Sequence, residues 1–142
     1  MALLAIFLGG IAIAVQAPIN ATLSRGIGDP VLAAAISFGI GFVILGAISL
    51  FRGALPGLAT GLTLPWWIWS GGIFGAFYVW AAVWSVSTVG VLSFVASLIF
   101  GQLVGALAVD AIGAFGMTQR PIDLTRIGAV LLVAAGLLLS RF

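Results

Sequence analysis

The stretch "MALLAIFLGGIAIAVQAPINATLSR", residues 1–25, decides the fold. From Met1 to Val15 it holds only apolar residues and glycine, and the first charge is Arg25. A helix crossing about 30 Å of hydrocarbon needs about 20 apolar residues at 1.5 Å per residue, and this run supplies them. A secretory signal has a basic start and a shorter apolar core. No positive side chain precedes the run here, so it reads as a mature transmembrane helix.

Working outward, the same pattern recurs. Apolar runs at residues 2–23, 31–51, 66–86, 91–111 and 124–140 predict five transmembrane helices in one domain over residues 1–142. The runs lack the strict alternation of barrel strands, so the expected fold class is an all-α integral membrane protein. The chain is 63% hydrophobic and 6% charged, with a mean hydropathy of +1.37. Folding alone does not remove that much apolar surface from water, which makes the lipid bilayer its first partner. Between the runs lie turn and interface signals: "SRGIGDP", "RGALPGLATGLTLP", "STVG" and "IGAFGMTQRPID". Asp123 is placed to cap the last helix, and Trp66, Trp67 and Trp69 form an aromatic belt at the entry of the third span. The sequon Asn20-Ala21-Thr22 lies too close to the hydrocarbon to be a glycosylation site.

The chain has five arginines (Arg25, Arg52, Arg120, Arg126, Arg141), three aspartates (Asp29, Asp110, Asp123), and no Lys, Glu, His or Cys. That inventory offers no acid–base pair, nucleophile–base pair, metal cluster or cofactor anchor, so no enzyme, metal or cofactor is expected. A net charge of +2 carries no sign of nucleic-acid binding. With five spans, Arg52, Arg120 and Arg126 fall on the side of the N-terminus and Arg25 and Arg141 on the other. Orientation follows Lys/Arg bias in short flanking loops, and a split of three to two gives almost none. Two readings follow: a fixed orientation set by weaker signals, or copies inserted both ways and paired as an antiparallel homodimer of ten helices. Many transporters are built from such inverted halves, with the substrate near the midplane.

Polar residues inside a span are costly unless satisfied, and each is therefore a functional candidate. Gln16 and Asn20 are four apart on one helix face, with Pro18 between them. Proline removes a backbone donor and frees a carbonyl near Ala14, so a kink and a polar notch are expected there. The two amides serve either as interhelical hydrogen-bond glue or as substrate contacts. Gln102 lies near the middle of the fourth span, and Asp110 follows two steps of four later near the interface. Asp110 reads either as an ion or proton site at a cavity mouth, or as a solvated anchor or a partner of Arg120 or Arg126. Tyr78 and Trp80 lie near mid-depth in the third span, where an aromatic ring lines a pocket or receives a cationic ligand. Trp84 reads as the opposite aromatic belt. Gly71 with Gly75, and Gly101 with Gly105, have the GxxxG spacing that lets helices approach closely. Ser93 and Ser97 are expected to bond back to carbonyls of their own helix. The last span, rich in Gly and Ala, is expected to be a packing or dimerisation helix.

Taken in order, "QAPINATLSR", "ISFGIGFVIL", "PWWIWSGGIFGAFYV", "GQLVGALAVDAIGAFG" and "GAVLLVAAG" resemble the small YdcZ-like family of the drug/metabolite transporter superfamily. The resemblance covers nearly the whole chain. It implies a five-helix bacterial inner-membrane protein, with relatives that occur as dual-topology homodimers, paired genes or fused ten-helix proteins. Where the four-helix small multidrug exporters of that superfamily carry an acidic residue in the first span, this sequence has Gln16. The expected function is transport of a small-molecule substrate, neutral or weakly cationic, through a cavity lined by Gln16, Asn20, Tyr78, Trp80 and Gln102. The competing expectation is a non-transporting scaffold or one subunit of a hetero-oligomer.

Overall fold

The computed structural model describes residues 2–142. Its elements are α1 (Ala2–Ile27), α2 (Pro30–Phe51), the short α3 (Pro56–Leu62), a 3-10 turn at Trp66–Ser70, α4 (Gly71–Val89), α5 (Val91–Ile112), a second 3-10 turn at Ala114–Gly116, and α6 (Leu124–Leu139). The described residues are helical throughout apart from turns and connections, with no strand. Four segments are long and apolar enough to cross a membrane: Ala2–Ile27, Pro30–Phe51, Trp66–Val89 and Val91–Ile112. The last helix is apolar but has 16 residues, about 24 Å at 1.5 Å each. By packing, the chain divides into two compact units, one ending at Thr88 and one of residues Val89–Phe142.

In the first unit the turn between α1 and α2 is two residues, Gly28 and Asp29, which makes the helices antiparallel neighbours. One carboxylate oxygen of Asp29 accepts from the backbone N–H groups of Val31 (2.7 Å) and Leu32 (3.0 Å). Pro30 occupies the first helical position, where a missing N–H costs nothing. Small residues let the helix pair close: Ala17 and Ala21 of α1 and Ala33 and Ala34 of α2 are buried. Ala33 and Ala34 form a cluster with Val79 and Val83 of α4, against which Leu23 and Tyr78 pack. The ends of α1 and α4 are joined by Arg25, whose Nη1 donates to Ser87 Oγ at 3.1 Å. Its Nη2 donates to Thr22 Oγ1 at 2.8 Å, and that hydroxyl donates to the Pro18 carbonyl at 2.9 Å.

Two local differences from the sequence reading have simple causes. The connection after α2 contains the helix α3, started by Pro56 at its first turn. The tryptophan belt is wound as a 3-10 turn, so the regular part of the third span begins at Gly71 and runs to Val89.

In the second unit α5 packs against α6. The two are tied at one end by Ser93 and Ser140: Ser93 Oγ donates to the Ser140 carbonyl at 2.8 Å, and Ser140 Oγ lies 3.2 Å from Ser93 Oγ. This corrects the expectation that Ser93 bonds back to its own helix. The carbonyl at the end of α6 has no partner within its helix and is the stronger claim on the hydroxyl. At the other end the Arg126 guanidinium forms an ion pair with Asp110. The connection folds back onto the end of α5: Arg120 N–H donates to the Asp110 carbonyl at 2.8 Å and the Gln119 amide to the Ala111 carbonyl at 2.7 Å. Gly113 permits this with φ 62°, and a side chain there would meet the Met117 carbonyl oxygen at 3.1 Å. Asp123 caps α6 as its position predicts, accepting from Arg126 N–H at 2.8 Å.

Gly90, between α4 and α5, has φ 80° and ψ 156°, a conformation essentially confined to glycine. Gly90→Ala is expected to cost about 1–3 kcal/mol of stability. Gly39→Ala, inside α2 with nothing within 4 Å of the new carbon, is expected to cost nothing. Denaturant titration of both variants in mixed micelles checks this, and equal midpoints would contradict it.

Candidate functional site

The polar notch is built by α1 and α2. Four-residue spacing puts Gln16 and Asn20 on one face of α1, and the short turn places Ser37 of α2 opposite them. Gln16 Nε2 donates to Ser37 Oγ at 3.3 Å, and Asn20 Nδ2 donates to the same oxygen at 3.1 Å. Asn20 is only 6% exposed. Gln16 lies 14 residues after Ala2 and 11 before Ile27, about 16 Å from the nearer helix end. The three groups therefore meet deep in the span, where an unpartnered polar group is most costly. A hydroxyl has two lone pairs and one proton, so Ser37 accepts from both amides and keeps its O–H to donate. Helix α1 continues without a break through Pro18.

Two grooves lie beside the notch, and both use Phe38. The first, of about 380 Å³, is lined by Gln16, Ser37, Phe38, Gly41, Phe42 and Leu45. It has apolar walls and one polar end. The second, of about 590 Å³, is lined by α2 and α4, with Ala34, Phe38, Ala76, Phe77 and Trp80 among its walls. Phe77 and Trp80 lie 5.9 Å apart, and Trp80 stacks on Trp84 at 6.2 Å with 9° between the planes. The second groove is almost wholly apolar.

The residues proposed from sequence are thus distributed unevenly. Gln16 and Asn20 come together at Ser37. Trp80 lines the aromatic groove, and Tyr78 packs on the apolar cluster of α1, α2 and α4 instead of that groove. Gln102 is exposed on α5, in the second unit. Asp110 is held by Arg126, whose Nη1 also lies 3.4 Å from the carbonyls of Arg120 and Pro121. The ion pair clamps the connection between α5 and α6. A side chain at Gly75 would meet the Phe38 ring at 3.4 Å, so this glycine admits the ring between α2 and α4. Gly71, Gly101 and Gly105 have no such neighbour within 4 Å. Ser37 was missed by the sequence reading. Its only signal was a hydroxyl in an otherwise apolar stretch, "AAAISFGIG".

The family model described as "Putative inner membrane exporter, YdcZ" matches residues 1–139. The chain belongs to the YdcZ family. It is also 26% identical over 133 residues to the inner membrane protein YdcZ of Escherichia coli (strain K12), covering 93% of this chain and 89% of that protein. No solved structure matches it at a significant level. With this membership and its apolar spans, the chain is a multi-pass bacterial inner-membrane protein of the drug/metabolite transporter group. An exporter family is not an enzyme class.

For this YdcZ-family chain, Ser37→Ala is expected to lower stability by about 1 kcal/mol, because two amides lose their shared acceptor. Unfolding in detergent by denaturant titration reads the loss. Unchanged stability would mean that the helix pair does not depend on these bonds.

Proposed function

We propose that the chain exports a small, uncharged or weakly cationic metabolite by alternating access, as an antiparallel homodimer of ten helices in which residues 1–142 form one five-helix domain. The observation that carries this reading is the meeting of Gln16 and Asn20 at Ser37 deep inside a span, with Gln16 and Ser37 lining a groove, in a family described as an exporter. Trp80 supplies an aromatic wall nearby and Tyr78 supports the helices behind it. Gln102, on α5, is retained as a further candidate substrate contact. No catalytic step is assigned to any residue.

The fifth crossing is supported by the way α6 is attached. Ser140 is bonded to Ser93 near the start of α5, and Arg126 to Asp110 near its end. A helix tied at both ends to a membrane-spanning neighbour crosses with it, although its own apolar length is short. Span count also controls orientation. If α6 did not cross, Arg52, Arg120, Arg126 and Arg141 would share a side against Arg25, and the bias would fix one orientation. If α6 crosses, the split is three to two, which permits dual insertion with antiparallel pairing.

The absence of native cysteine allows a direct test of orientation. With Ala54→Cys in the connection after α2, an impermeant maleimide is expected to label near half of the protein in intact cells and all of it after permeabilisation. Labelling near none or near all would contradict the homodimer and favour a subunit of a hetero-oligomer.

Transport is tested by comparing metabolites in the medium of cells expressing the wild type, Gln16→Ala, Asn20→Ala and Gln102→Ala. At least one solute is expected to accumulate outside with the wild type and fall toward background with each variant. If all three variants export as the wild type does, the site is elsewhere.

A further inference from the structure

We propose that the groove of Gln16, Ser37, Phe38, Gly41, Phe42 and Leu45 binds an uncharged solute with a hydrogen-bond acceptor on an apolar body, and that the Ser37 hydroxyl is the donor that selects it. The proposal rests on the transport reading and names the ligand class of its site.

The chemistry of the groove sets that class. Ser37 Oγ already accepts from Gln16 and Asn20, so what it offers a ligand is its proton. The remaining walls are the Gln16 carboxamide, which gives one N–H to Ser37, two phenylalanine rings, a leucine and the bare backbone of Gly41. No ionisable side chain lines the groove, so an ion would lose its hydration without a counter-charge. A pure hydrocarbon would fill the walls but leave the donor facing nothing. A phospholipid chain is a poor match as well. Lipid ester and headgroup oxygens stay at the interface, whereas Gln16 lies about 16 Å from the nearer end of its helix. A ligand that satisfies both ends of the groove brings its own acceptor to mid-depth. About 380 Å³ sets the scale as a compact molecule of one ring or a short branched chain.

Three probes of similar shape separate the possibilities: acetophenone, ethylbenzene and benzyltrimethylammonium. Binding to the purified full chain in nanodiscs is read by saturation-transfer NMR, with empty nanodiscs subtracted. Acetophenone is expected to bind saturably and more tightly than the other two. Ser37→Ala is expected to weaken it about five- to tenfold, and Ser37→Thr, which keeps the hydroxyl, to retain it. Gly41→Leu is expected to abolish binding without loss of fold, since a carbon added at Gly41 meets nothing within 4 Å and a larger side chain fills the groove. Equal binding of acetophenone and ethylbenzene, or no effect of Ser37→Ala in a folded protein, would overturn the proposal. Tighter binding of the ammonium probe would overturn it too. Export that depends on Gln16 and Asn20 without acetophenone binding would remove the ligand class and leave transport standing. Ser37-dependent acetophenone binding in a protein that exports nothing would do the reverse.

Discussion

One oxygen atom organises the first half of this protein. Ser37 Oγ takes hydrogen bonds from two amides of the neighbouring helix, at a mid-span depth where an unpaired donor is costly. The bonds are individually modest, but their alternatives are poor, so they fix the rotation of α1 against α2. That rotation sets which residues line the groove at the notch. The alanines at 17, 21, 33 and 34 allow the helices to come close, and Phe38 is then held over Gly75. A polar notch and an aromatic groove thus lie as neighbours on the two sides of α2 that meet α1 and α4.

The second unit solves a different problem. Helix α6 falls short of the apolar length of a membrane crossing, and its sequence has only small and aliphatic residues between its ends. Its placement comes from those ends: a serine pair at one, an Arg–Asp pair and a folded-back connection at the other. The polar residues of this unit are mainly spent on attaching α6 to α5. This explains why Asp110, a natural candidate for ion coupling, has an arginine beside it. In the proposed account the same attachment balances the arginines across the membrane and thereby permits both orientations.

Much of this was legible in the sequence, and the rest was hidden for physical reasons. Apolar length revealed the helices, and Asp123 its cap, because both are local signals. The shared face of Gln16 and Asn20 follows from helical periodicity alone. Ser37 was not legible because its role depends on which face of α2 meets α1, and an evenly apolar helix gives no clue to its rotation. Ser93 was misjudged for a related reason: the carbonyl it satisfies lies 47 residues away. Tyr78 and Trp80, two residues apart, look alike in sequence, yet one packs on the apolar cluster and the other lines a groove. The short α3 and the 3-10 turn of tryptophans lie in a connection where glycine and proline favour several turns equally.

The central claim is that the notch opens into a solvated cavity and is not sealed glue between helices. A thiol placed in that cavity reacts with a small hydrophilic methanethiosulfonate, because reaction requires the thiolate and the thiolate requires water. Gly41→Cys, in the groove, is therefore predicted to react at a depth where Gly39→Cys, on the same helix but outside the lining, does not. Silence at both positions would contradict the account and leave Gln16, Asn20 and Ser37 as structural contacts alone.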